Sequence, residues 1–88
     1  MKIKLSHPSE DEIKNLNLDR WSEWRCEPSE FDWYYDTNET CYFYEGEVIV
    51  KTEWEEVKIK PGDLVTFPKG LSCIWKVLKP VRKVYRFD

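Results

Sequence analysis

The chain has 88 residues and a formal net charge of −3, with 35% of its residues charged and 16% aromatic. That length makes one domain, residues 1–88, which buries only about 60–65% of its unfolded surface. Net acidity argues against a nucleic-acid partner, no apolar run reaches membrane length, and three cysteines without a Cys-x-x-Cys exclude a zinc knuckle or thioredoxin-type motif.

In chain order, residues 1–5 alternate lysine with apolar positions and read as a short first strand. Ser9 and Glu12 then form a capping box, and the acids at 10–12 suit the positive end of a helix. Ile13 and Leu16 would be its buried side, and Asn15, Asn17 and Asp19 end it after two turns. Trp21 to Cys26 reads as a strand stopped by Pro28. Phe31 to Tyr35 is aromatic and extended, with a polar turn at Asp36-Thr37-Asn38. Thr40–Tyr44 and Val48–Thr52 read as two strands separated by Glu45-Gly46-Glu47. Val57–Lys60, Leu64–Phe67, Cys73–Leu78 and Val81–Phe87 complete a set of eight or nine short strands, the pattern of an all-β sandwich or barrel. Val48-Ile49-Val50 lacks alternation, so both faces of that strand are expected to be covered, the outer one by a second sheet or a dimer partner.

The charge is uneven. Residues 1–63 hold 8 basic and 16 acidic residues, a balance of −8, whereas residues 64–88 hold 6 basic and one acidic, a balance of +5. Late basic strands lying beside early acidic ones would account for this, because opposite charges across a strand pair attract. Free thiols and an N-terminus without a signal-like apolar stretch give a reduced, cytoplasmic protein as the expectation. Five Trp, five Tyr and four Phe enlarge a small core, and a homodimer would extend it further.

Two phrases carry a family resemblance. Glu39-Thr-Cys-Tyr-Phe-Tyr-Glu-Gly46 resembles the end of the first cupin motif, G-x5-H-x-H-x3/4-E-x6-G. Pro61-Gly-Asp-Leu-Val-Thr-Phe-Pro-Lys-Gly-Leu-Ser-Cys73 resembles the second, G-x5-P-x-G-x2-H-x3-N, with Gly62, Pro68 and Gly70 in register. The aromatic stretch Phe31–Asp36 and the run Leu71–Val77 are most similar to small single-domain cupins of the (S)-ureidoglycine aminohydrolase cupin-domain family. The resemblance implies an antiparallel, jelly-roll-like β-barrel or sandwich with one short N-terminal helix. Metal-dependent cupins hold a divalent ion with three imidazoles and a carboxylate. Here the corresponding positions are Trp33, Tyr35, Glu39 and Cys73, with Asp32 and Tyr34 the other register for the first two. Glu39 and Cys73 would make half a metal site, so the expectation is no metal ligand set and no cofactor. The single histidine, His7, lies outside the motifs and reads as structural.

Strand parity makes the implied site concrete. Trp33 and Tyr35 share a face, as do Glu39, Cys41 and Phe43, and as do Cys73, Trp75 and Val77. If the family geometry holds, all point inward and form an aromatic cup around Glu39 and Cys73. Desolvation there would press Glu39 towards its neutral form, suiting it to acid–base work or to anchoring a ligand. The candidate catalytic residues are Glu39, with Tyr35 and Cys73 as helpers. Trp33, Tyr35, Glu39, Phe43, Cys73 and Trp75 are the candidate ligand-binding set, while Cys26 and Cys41 read as inert core. The expected function is binding of a small polar metabolite, ureide- or sugar-like, inside the barrel. A non-catalytic ligand-binding or dimeric interaction module is the alternative, and the residues do not decide whether turnover occurs.

Overall fold

The computed structural model describes residues 1–88. Seven strands form one antiparallel sheet: β1 Lys4–Ser6, β2 Ser22–Cys26, β3 Ser29–Tyr34, β4 Glu39–Lys51, β5 Glu56–Ile59, β6 Leu64–Phe67 and β7 Ser72–Phe87. The single α-helix, α1, spans Glu10–Leu16. No helix is long and apolar enough to cross a membrane.

The long strands β4 and β7 pair along most of their length and organise the rest. The start of β4 lies between β6 and the end of β7, which in turn pairs with β2. The end of β4 lies between β5 and the start of β7, which pairs with β3. The sheet therefore folds over itself at the middle of β4 and β7. One core cluster fills the interior, with Cys41, Phe43, Val65 and Phe67 from one half and Val48, Val50, Trp75 and Val77 from the other. This is the antiparallel sandwich that the resemblance implied.

The fold-over explains a correction. Glu45-Gly46-Glu47 is no turn between two strands, and Lys79-Pro80 does not divide the last segment. Each is the bulged middle of one continuous strand, where the β4–β7 register shifts between Phe43 and Val48. Gly46 has φ +101°, and a Cβ there would lie 2.6 Å from the Pro80 carbonyl oxygen. Only glycine allows that approach. Pro80 sits opposite, where the ladder is already interrupted and its missing N–H is not needed.

The helix is as read. Ser9 Oγ accepts from the Glu12 N–H, Glu12 accepts from the Ser9 N–H, and Asn17 ends the helix in the left-handed conformation. Ile13 and Leu16 are half-buried and pack with Leu18, Tyr42 and Val84. The helix thus covers the outer face of β4 at Tyr42. Double coverage falls there rather than at Val48–Val50, where Ile49 remains half-exposed. Cross-strand charge pairing is also as read, with Glu47 bridged to Lys58 and Lys79, and Glu45 to Arg82.

Candidate functional site

Glu39, Cys41 and Phe43 alternate inward from β4, and all three are buried. Opposite them on β7 stand Phe87, Tyr85 and Lys83, paired in register with Glu39, Cys41 and Phe43 respectively. On the far side of β7, Trp24 of β2 pairs with Lys83. Lys83 is therefore placed in a row between two aromatic residues, Trp24 and Phe43. In the other half of the sheet Phe31 pairs with Trp75, and the two rings stack at 6.1 Å.

Lys83 is the decisive residue. Its Nζ donates to Glu39 Oε2 at 3.1 Å and to Cys41 Sγ at 3.2 Å, while the Cys41 thiol itself contacts Glu39 Oε2 at 3.1 Å. The Trp24 and Trp75 rings face the ammonium at 4.9 Å each, with Tyr85 at 5.5 Å and Phe43 at 5.9 Å. Such faces stabilise a desolvated cation. Glu39 is therefore not the lone buried carboxyl expected from the motif but one half of a buried ion pair.

A cavity of about 160 Å³ opens onto this pair. Its polar lining is Glu39, Lys83 and Tyr35; Trp24, Phe31 and Trp75 form its walls, and Trp33, Tyr85 and Phe87 complete it. Trp33 is half-exposed and Phe87 more so, and both stand at the rim. All protein hydrogen bonds of the Glu39 carboxylate go to Oε2, and no sealed polar side-chain atom lacks a partner. Oε1 is therefore an unengaged, partly accessible acceptor on a residue that lines the cavity. Tyr35 is held by backbone bonds to Leu71 and Gly70, and its hydroxyl accepts from Trp75 Nε1 at 3.2 Å. Burial, and then the nearby Cys41 and Glu39, push the Tyr35 phenol far above its ordinary value, so it stays protonated with its own hydrogen available to a ligand.

The expected site residues thus separate. Tyr35, Glu39, Trp33 and Trp75 line one cavity. Phe43 is fully buried and off the lining. Cys73 is also off it: its Sγ is directed to the Trp33 carbonyl oxygen at 3.7 Å, and it borders a larger, shallow groove of about 610 Å³. Asp32, Lys51 and Glu53 in that groove are exposed, whereas the smaller cavity is lined by the buried Glu39–Lys83 pair. Burial pushes the Cys73 thiol up to about 11 and the Cys41 thiol up to about 12, in the latter case against the pull of Lys83. Neither is a thiolate at neutral pH. Cys41 is nonetheless more than inert core, since it touches both members of the ion pair. His7 braces the N-terminal segment, its Nδ1 lying 3.2 Å from the buried Asp63.

A resident divalent metal does not fit these residues. No three His, Cys, Asp or Glu side chains converge, and the Lys83 ammonium already lies against Glu39 and Cys41. Lys83, Trp24, Tyr85 and Phe87 were not among the residues expected from the motifs. The signal was present in the last strand, where Val81, Lys83, Tyr85 and Phe87 share a parity that is apolar except for one lysine.

Residues 14–85 match the family model of the EutQ-like cupin domain. A crystal structure of a DUF861 family protein from Thermotoga maritima is 55% identical, covers 99% of this chain and 100% of its own, and superposes with a TM-score of 0.96. The Clostridium difficile EutQ protein is 23% identical over 74% of this chain and 52% of its own, with a TM-score of 0.68. This chain thus spans about half the length of that protein. A putative ethanolamine utilization protein Q from Salmonella typhimurium LT2 is 24% identical over 99% of this chain and 69% of its own, with a TM-score of 0.67. The last two likenesses carry the fold alone. No curated protein matches the chain.

Proposed function

The chain belongs to the EutQ-like cupin domain family, and from that premise we propose that it binds a small, donor-rich polar metabolite in the cup around Glu39. The observation that carries this reading is the Glu39 carboxylate on the lining of an aromatic-walled cavity, with its Oε1 unengaged by the protein. Lys83 engages the other oxygen, so Oε1 is free to accept from a ligand N–H or O–H. The Tyr35 hydroxyl supplies a complementary donor, and the Trp24, Phe31 and Trp75 rings offer flat apolar faces. At about 160 Å³ the cavity is below the usual range for drug-sized ligands. Ureides and single sugar units combine donors, acceptors and flat faces at this scale. The likeness of Phe31–Asp36 and Leu71–Val77 to the ureidoglycine aminohydrolase cupins favours testing ureides first.

The experiment is calorimetric titration of small ureides and monosaccharides into the native protein and Glu39→Gln. Saturable binding that weakens about tenfold or more in the variant is expected, the loss of a hydrogen bond to a charged acceptor. Affinity unchanged in Glu39→Gln would remove Glu39 as the anchor and favour the interaction-module reading.

A further inference from the structure

We propose that Lys83 is a tethered cation, taking beside Glu39 the place that a divalent metal takes beside the motif carboxylate of metal-dependent cupins, so that the cup is a cation site filled by the chain itself. Glu39 stands at the motif's carboxylate position, and the Lys83 ammonium lies 3.1 Å from its Oε2. The cation has a second donor atom in Cys41 Sγ at 3.2 Å and ring faces of Trp24 and Trp75 at 4.9 Å. Two of the three ammonium protons are thereby engaged by Oε2 and Sγ, and the remaining surface of the ion meets π-electron density. The Lys83 side chain is only 6% exposed. Burying an ammonium this far is unfavourable by several kcal/mol unless it is paired, and here every neighbour is of a kind that favours positive charge.

The remaining positions are consistent with this substitution. Imidazoles would be needed where Trp33, Tyr35 and Cys73 stand, and those side chains point to the rim, to Trp75 and to a backbone carbonyl instead. Lys83 thus does for Glu39 what the metal does elsewhere. It neutralises the carboxylate, fixes its rotamer through Oε2 and leaves Oε1 for a ligand. A site built this way selects a primary ammonium on geometry and charge, and it has no exchangeable ion to lose.

The inference rests on the reading of Glu39 as the site carboxylate, but its test reads stability, so a failure of ligand binding leaves it standing. Lys83→Ala keeps Cβ and removes three carbons and the ammonium, which is the outline of n-propylammonium. The variant is expected to melt more than about 10 °C below the native protein, as an unpaired buried charge does in a domain of this size. Adding n-propylammonium chloride should raise its Tm saturably, relative to sodium chloride at equal ionic strength. The native protein and the double variant Glu39→Gln/Lys83→Ala should show no such rise. The native Tm should also be unmoved by a chelator or by added zinc or manganese. Folded Lys83→Ala without saturable rescue, equal rescue in the double variant, or a chelator-sensitive native Tm would each overturn the proposal. Should Lys83→Ala not fold, Lys83→Met is compared with Glu39→Gln/Lys83→Met. The double variant is expected to be the more stable, because it no longer buries an orphan carboxylate, and the reverse order would overturn the proposal.

Discussion

Lys83 Nζ and Glu39 Oε2 lie 3.1 Å apart although 44 residues separate them in the chain. Both side chains are at least nine-tenths buried, and β4 and β7 bring them together by pairing in register. Removing one member leaves the other charged in an apolar interior. Glu39→Ala should therefore destabilise the fold by about 3–5 kcal/mol, against about 1 kcal/mol for an ordinary substitution. Urea unfolding monitored by tryptophan fluorescence measures it, and a loss below about 1 kcal/mol would show that the pair is not desolvated.

The buried thiols and phenol set an alkaline limit. Cys41 rises from 9.0 to about 12 and Cys73 to about 11, mainly by burial, and Tyr35 is raised further for the same reason. Well below pH 9 these groups are protonated in both the folded and the unfolded chain and contribute no pH dependence. Above it the unfolded chain releases protons that the folded chain retains, so stability falls as pH rises through the window from about 9 to about 12. Melting temperatures between pH 7 and pH 11 should be level to about pH 9 and then decline. A level profile to pH 11 would contradict the burial of Cys41.

Gly46 holds the bend of β4 against Pro80. Gly46→Ala must place a Cβ 2.6 Å from the Pro80 carbonyl oxygen at a φ of +101°. A loss of at least about 2 kcal/mol is expected, combining backbone strain with a contact that only main-chain movement relieves. Chemical denaturation of this single variant decides the matter, since near-native stability would mean the fold-over is loose.

The outer face of β7 exposes Ile74 and Leu78, each at 40%. We propose that a second copy of the chain covers this face, completing the core of so small a domain. Sedimentation equilibrium should give twice the 10.7 kDa chain mass, with Leu78→Lys shifting the protein towards the monomer. A native protein that sediments as a monomer at high micromolar concentration would remove the dimer.

Much of the fold was legible because its signals are local. The Ser9–Glu12 capping box and the period-2 runs each depend on residues a few positions apart, and each appears as read. The inward parity of Glu39, Cys41 and Phe43 followed from strand geometry in the same way. In sequence Gly46 and Pro80 have the character of breaks, because a bulge and a turn use the same local residues. Only their long-range partner distinguishes them. The expected cup around Glu39 and Cys73 was half legible, with Glu39 on the cavity lining and Cys73 off it.

The sequence by itself determined that this is an antiparallel cupin sandwich with one capped helix, and that the imidazoles of a metal-binding cupin are missing. Those conclusions rest on residue identity and on spacing along the chain. That Lys83, one of six basic residues between positions 64 and 88, faces inward to neutralise Glu39 was decided only by the tertiary structure. Charge pairing in a core depends on the register between strands distant in sequence, and Glu39 and Lys83 share the unbroken stretch of β4–β7 register that runs from Glu39 opposite Phe87 to Phe43 opposite Lys83.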